Sequence, residues 1–367
     1  MKTLKRTLFP LLALVTVTGT GCGKDSSFSL LEETDNFVQS TSSNSKIDIL
    51  WVIDNSGSMQ TSQQNVINNL DAFIADFATR NLDFKMAVTT TDGYRSLYTS
   101  NPNCARFRDG ILNASCNTVS GATYSGIRVM DKNTPNIESV FLTNALQTIG
   151  GVYGSGDERA FQSMQTSLNS SLNAGFVRPD SFLSVIIVSD EEDSSRSVAS
   201  GSAPLHTLQT YVDYLDSLTT SDPINRRYNV NGMVIKDSAC RTQLGGSDRD
   251  IAQRVMDLVD LVNTGHAVPA ANGKKTSLCS TNFSDDLADI ATGILVGASE
   301  FKLDRIPIPS TIVITVNGVL VEEESVSSSG EGWTYVEATN SIFFSSGVVI
   351  PAGASISVNY DPANYGS

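Results

Sequence analysis

Three oxygen-bearing side chains stand at alternate positions in Asp54-Asn55-Ser56-Gly57-Ser58. In a partly extended turn that alternation points all three the same way, and Gly57 lets the backbone bend tightly between them. The chemistry on offer is an oxygen-donor site. Asp-x-Ser-x-Ser is a weak pattern in a chain with so many serines, so its meaning depends on what flanks it. Ahead of it, 46–53 is a nearly continuous apolar run rich in branched residues, which reads as a strand buried on both faces of a parallel sheet. Behind it, 60–80 carries Val66, Ile67, Leu70, Phe73, Ile74 and Phe77 at the spacing of one helix face. Strand, turn and helix put the three oxygens in the crevice where open α/β sheets bind ligands. The competing reading is helix N-capping by Asp54 and Ser56.

A second apolar strand, 182–189, also ends in acid, at Asp190-Glu191-Glu192-Asp193. Strands at 83–91 and 228–235 alternate with helical spacing at 136–149, 158–173, 205–218, 248–263 and 285–295. That alternation predicts an α/β fold with a doubly wound, mostly parallel sheet. The layout resembles a von Willebrand factor A domain, or integrin I-type domain, with a metal-ion-dependent adhesion site, over roughly residues 46–300. The resemblance implies that Asp54, Ser56 and Ser58 are metal ligands and that Asp190, after the fourth strand of such a domain, is another. It implies a further hydroxyl from a loop that precedes a helix. Here that loop reads Gly154-Ser155-Gly156-Asp157-Glu158-Arg159, with Ser155 in the hydroxyl position and Asp157 and Glu158 as acidic alternatives.

Carboxylate and hydroxyl donors without His or Cys suit a hard cation, Mg²⁺ or Mn²⁺, with Ca²⁺ also accommodated. With serines at two positions the ion keeps net positive charge toward an open coordination position. A protein or glycan partner offering a carboxylate or another oxygen can fill it, and this is the adhesion mechanism the resemblance implies. The first alternative is a non-catalytic envelope scaffold with a vestigial metal site. A metal-dependent hydrolase ranks behind both. A strand ending in Asp resembles the haloacid-dehalogenase type of phosphatase, but the second aspartate of that pattern is Ser56 here. Neither Ser56 nor Ser189 lies in the Gly-x-Ser-x-Gly turn of a serine hydrolase. His206 and His266 have no evident partner in the sequence, and Glu191, Glu192 and Asp193 read as a solvated loop, with a second cation site beside the first as the other reading.

The first 21 residues read as a leader: Lys2, Lys5 and Arg6, an apolar core from Leu8 to Val17, then small residues. Gly19-Thr20-Gly21-Cys22 resembles a bacterial lipoprotein processing site with Cys22 as the lipidated residue, and Gly23 after it resembles the sorting pattern for the outer membrane. The expectation is an outer-membrane lipoprotein, facing the periplasm or the cell surface and held by its lipid alone. Setting Cys22 aside leaves an even four cysteines, expected to pair as Cys104–Cys116 and Cys240–Cys279. A net charge of −14, with no basic cluster after the leader, argues against nucleic acid. Residues 22–45 read as a polar tether with strand-like runs at 28–31 and 36–39. The core domain is expected over 46–303. Beyond Ile306-Pro307-Ile308-Pro309 the chain turns almost wholly β, with an Asn317-Gly318 hairpin signal. A small all-β sandwich-like domain is therefore expected over 304–367. It is short of strands, so residues near Phe37 are expected to pair with it and cover an open edge.

Overall fold

The first strand, β1 (Glu33–Val38), pairs not with the strand that follows it but with the last strand of the chain. The computed structural model describes residues 33–38, 46–67, 69, 73, 74, 77, 82–148, 154–327, 330–351 and 353–363. The leader, Cys22 and the run 28–31 lie outside the described residues. Among the described residues no helix is long and apolar enough to cross a membrane.

The larger sheet is built on β2 (Lys46–Ile53), β3 (Asp83–Thr90), β4 (Val129–Asp131), β5 (Phe182–Ser189), β6 (Tyr228–Val234) and β7 (Lys275–Ser277). Their order across the sheet is β4-β3-β2-β5-β6-β7. Every pairing is parallel except that of β3 with β4. β2 and β5 lie at its centre and are buried on both faces, which is what their unbroken branched apolar runs require. Along β2, Ile47, Ile49, Trp51 and Ile53 enter one apolar cluster, and Leu50 and Val52 enter another on the opposite face.

Helices cover both faces. One cluster is completed by helical Phe73, Ile74 and Phe77, by α2 (Ile137–Ala145) and by α7 (Phe283–Ala298). The other is completed by α3 (Ala160–Asn169), α4 (Leu208–Thr219) and α6 (Gln253–Asn263). Two shorter helices, α1 (Gln60–Ile67) and α5 (Ser238–Leu244), stand at the loop ends of β2 and β6. The chain runs from β2 to β3 and β4 on one side, then crosses to β5, β6 and β7 on the other. The switch in direction falls between β2 and β5, so their carboxyl ends flank the crevice where such sheets receive ligands.

Several elements differ from their expected bounds. The helix expected over 158–173 is α3 followed by a separate 3₁₀ turn at Ser171–Asn173, where the Ser170 hydroxyl accepts from the Leu172 amide. The helix expected from 248 starts at Gln253, because Gly245 and Gly246 carry the chain through positive φ (66° and 88°) and leave 247–252 as a loop. α5 has no counterpart in the expected elements. Asp237 caps it, accepting from the Cys240 amide at 2.8 Å.

Among the described residues the β unit has two sheets. β9 (Val313–Val316), β10 (Val319–Val321) and β13 (Ser355–Tyr360) join β1 in the order β1-β13-β9-β10. β8 (Phe301–Lys302), β11 (Trp333–Val336) and β12 (Ser341–Phe344) form the other, in the order β11-β12-β8. Phe37 lies opposite Ile356 in the β1–β13 ladder, so the far ends of the described chain close one sheet. Asn317 and Gly318 both take positive φ (51° and 79°), the conformation that a tight two-residue hairpin demands. Side chains of both sheets, among them Ile314, Ile356, Trp333 and Phe344, share one apolar cluster. The unit begins at Phe301, immediately after α7, ahead of the proline-marked shift in composition. Disulfides join Cys104 to Cys116 within the long loop after β3, and Cys240 on α5 to Cys279 just past β7.

Candidate metal centre

Asp54 follows β2 directly and is fully buried. Its amide donates to the Val188 carbonyl of β5 at 2.9 Å, which ties the two strand ends together. One carboxylate oxygen, Oδ1, accepts from the Ser56 amide at 2.8 Å, and Oδ2 accepts from the Ser189 hydroxyl at 2.7 Å. The first bond is the local turn that short Asp side chains favour. It leaves no helix cap: Ser56 precedes a 3₁₀ turn at Gly57–Met59 without any side-chain cap bond. Gln63 on α1 donates to the Asp54 carbonyl at 2.6 Å and braces the turn from the helix side.

The two serines of the turn do face one another, with their hydroxyls 2.8 Å apart. Ser58 then donates to Asp190 Oδ1 at 2.9 Å. Asp54, Ser56, Ser58 and Asp190 thus come together from two strand ends that lie far apart in sequence. Asp190 also accepts from Arg249 Nε at 2.7 Å, and the same guanidinium donates to the Ser58 carbonyl. Arg249 belongs to the loop left open between α5 and α6, and no spacing in the sequence points to it.

Ser155 takes a different partner. Its hydroxyl donates to Asp92 Oδ1 at 2.6 Å and its amide to Asp92 Oδ2 at 3.1 Å. Asn55 joins this group, donating to Asp92 Oδ2 at 3.2 Å and accepting from the Gly154 amide through its carbonyl at 2.6 Å. Gly154 has no room for a side chain, since a Cβ there would lie 2.1 Å from Asn55 Nδ2. Asp92 escaped the sequence reading although it carries the signal of the other two acids: it follows a buried strand, β3, at its carboxyl end.

The acidic alternative on the same loop, Glu158, is only 3% exposed, and its Oε1 has no hydrogen-bond partner. Burial pushes its carboxyl well above the ordinary range; the charge of Asp54 adds to this and the Thr91 hydroxyl offsets part of it. Asp54 is pushed up to about 6, first by burial and then by the charge of Asp190, against the pull of Ser189 and Ser56. Glu191 rises to about 8, by burial and then by repulsion from Asp54 and Asp190. Asp190 is also raised by burial, with Ser58 and Arg249 opposing the shift. Asp190 is paired with Arg249, and Asp92 lies 3.6 Å from Arg95. Among the described residues neither Asp54 nor Glu158 forms an ion pair.

Carboxylates that repel one another in a buried crevice, one with an orphaned oxygen, fit a divalent cation. The donors are all hard oxygens. Among the described residues no three His, Cys, Asp or Glu side chains are grouped closely enough to make a metal site by themselves, so serine hydroxyls would have to complete the donor set.

The rest of the acidic run is not a solvated loop. Asp193 is 2% exposed, accepts from the Phe161 amide at 3.1 Å and the Ser195 hydroxyl at 2.8 Å, and anchors the first turn of α3. Glu192 accepts from the Arg254 amide at 3.0 Å, at the start of α6. His206 has partners after all: its ring nitrogens lie 2.7 Å from the Ser197 hydroxyl and 2.7 Å from the Tyr211 hydroxyl. His266 is held down at about 4 by burial and the nearby Arg226.

No protein-family model and no curated protein matches this chain. Among solved structures it is similar to the pilus adhesin SpaC from Lactobacillus rhamnosus GG in its open conformation, at 10% identity and a TM-score of 0.38, over 86% of this chain and 38% of that one. It is similar to proximal thread matrix protein 1 from the mussel byssus, at 13% identity and a TM-score of 0.34, over 75% of this chain and 52% of that one. The human COPII-coat protein Sec24c aligns at 9% identity and a TM-score of 0.38, over 91% of this chain and 42% of that one. The chain spans about half the length of these proteins or less.

Proposed function

We propose that residues 46–303 form a doubly wound, von Willebrand factor A-type domain, and that this lipid-anchored protein captures a partner through a divalent cation at the carboxyl ends of β2 and β5. One observation carries the reading. Asp54, Ser56, Ser58 and Asp190 form a connected set of oxygen donors at the sheet's switch point, within a crevice that holds more buried carboxylate than cation.

Asp54 would hold the ion with the hydroxyls of Ser56 and Ser58, while Ser189 and the Ser56 amide fix the orientation of its carboxylate. Asp190 supports Ser58 from behind and is itself steadied by Arg249. Asn55, Asp92 and Ser155 brace the neighbouring loop. Mg²⁺ or Mn²⁺, when bound, supplies a Lewis-acidic point to which an oxygen of a protein or glycan partner can attach. The β unit, which contains both β1 and β13, provides the base from which this crevice is presented. The reading includes no catalytic step.

The Arg249 guanidinium favours the second reading, a scaffold whose crevice carries its own cation in place of a metal. Calorimetry separates the two. We expect Mn²⁺ to bind the wild-type chain and Asp54→Ala to lose more than the roughly 100-fold in affinity that removal of an outer-shell partner costs. Equal affinity in the two proteins excludes the site. Partner binding that persists in excess chelator would favour the scaffold.

A further inference from the structure

We infer that Glu158, rather than Ser155, is the residue of the 154–159 loop that binds the ion, which makes this a centre with two fixed carboxylates facing the metal. The inference rests on the metal reading above and deepens it. Three observations on the loop support it.

The first is commitment. The hydroxyl and amide of Ser155 both donate to the Asp92 carboxylate, at 2.6 and 3.1 Å, and Asp92 is held in turn by Asn55. Ser155 therefore closes the loop onto the strand end after β3. The second is the orphaned oxygen. Glu158 is 3% exposed, yet its Oε1 lacks any hydrogen-bond partner. A buried acceptor in that condition is costly unless something absent from the bare chain satisfies it. The third is placement. The loop starts with the Gly154 amide donating to the carbonyl of Asn55, next to Asp54, at 2.6 Å, and ends with the Glu158 carbonyl accepting from the Ser194 amide, four residues past Asp190, at 2.8 Å. Glu158 is thus held between the two strand ends that carry Asp54 and Asp190, and the charge of Asp54 acts on it. The backbone there is firm: the Glu158 carbonyl accepts from both the amide and the hydroxyl of Ser194 at 2.8 Å. Its neighbour Arg159 is locked by Asp157 and by three carbonyls of the 196–199 loop.

The consequence is one of charge. Asp190 already meets Arg249 and Asp92 lies beside Arg95, so of the carboxylates proposed to touch the ion Asp54 and Glu158 are the two that offset its charge. A centre without net charge gains little from an anionic partner, and an uncharged oxygen, a hydroxyl or a carbonyl, suits its open position better.

The test uses the full chain with Mn²⁺ as the probe, following affinity by calorimetry and thermal unfolding with and without metal. Glu158→Gln keeps the shape and removes the charge. We expect its Mn²⁺ affinity to fall at least about tenfold, in the range typical of metal-site changes. Its metal-free melting temperature should stay level or rise, because a buried charge has gone, while the upward shift produced by Mn²⁺ disappears. Ser155→Ala, which loosens the loop but leaves the carboxylate in place, should lose less of that shift than Glu158→Gln. If Glu158→Gln does not fold, Glu158→Asp, which withdraws the carboxylate by one methylene, must show the loss instead. A wild-type chain that binds no Mn²⁺ overturns the metal reading itself. A wild type that binds, a Glu158→Gln that binds equally well and a Ser155→Ala that does not would overturn this inference alone. Water-proton relaxivity of the Mn²⁺-loaded wild type should not respond to millimolar acetate; a fall as acetate replaces bound water overturns the charge argument.

Discussion

Asp48 and Asp54 lie at opposite ends of one buried strand, both with no accessible surface, and the protein treats them in opposite ways. At the amino end, Asp48 receives the Arg178 amide at 2.7 Å and its guanidinium at 2.8 Å, and the same guanidinium reaches Asp83. Burial still raises the Asp48 carboxyl, but Arg178 is the main force opposing it. At the carboxyl end, Asp54 receives the Ser189 hydroxyl and the Ser56 amide, and the charge of Asp190 adds to the effect of burial. The Asp48 end is electrostatically closed and the Asp54 end is open. A buried charge left without a counter-charge weakens a fold, so it is expected where a ligand from outside supplies the missing charge.

The largest expected effect comes from breaking the closed end. Arg178→Ala strands Asp48 in the base of the sheet and should cost about 3–5 kcal/mol, read from urea unfolding. Asp54→Asn removes a charge that has no partner and should leave metal-free stability at neutral pH unchanged or higher. If the two variants lose equal stability, the two ends do not differ in the way described.

Next in size is the dependence on pH. A carboxyl raised by folding contributes stability that is complete below its unfolded value and lost as pH rises through its folded one. Asp54 moves from 3.8 to about 6 and Glu191 from 4.5 to about 8. The metal-free melting temperature should therefore fall as pH climbs from about 4 to about 8, and Asp54→Asn should flatten the lower part of that fall. Added Mg²⁺ should restore stability increasingly over the same window, because it binds the ionised forms. A Mg²⁺ effect that is the same at both ends of the window speaks against these carboxylates.

The smallest expected effect sharpens the comparison within the crevice. Arg249 is the open end's counterpart of Arg178, and it serves Asp190. Arg249→Gln should free that carboxylate and raise Mn²⁺ affinity by roughly tenfold, worth about 1.4 kcal/mol. A drop in affinity would show that Arg249 positions the site and does not compete for it.

Much of this protein was decided by pattern alone. The apolar runs of β2 and β5 specify strands buried on both faces, and helical spacing between them requires crossovers, hence a largely parallel sheet. Asn317-Gly318 specifies a tight hairpin because few other residue pairs accept positive φ twice in succession. These features are legible because each depends on neighbours within a few residues. Tertiary structure decided the rest. Asp54 and Asp190 meet only because the strand order turns between β2 and β5, and Ser155 is drawn to Asp92 because β3 ends beside that loop. Glu158 stood in the sequence as one acid among several, and Arg249 as an arginine in a polar stretch. What sets them apart is desolvation and the sum of nearby charge, and both arise when distant segments pack together.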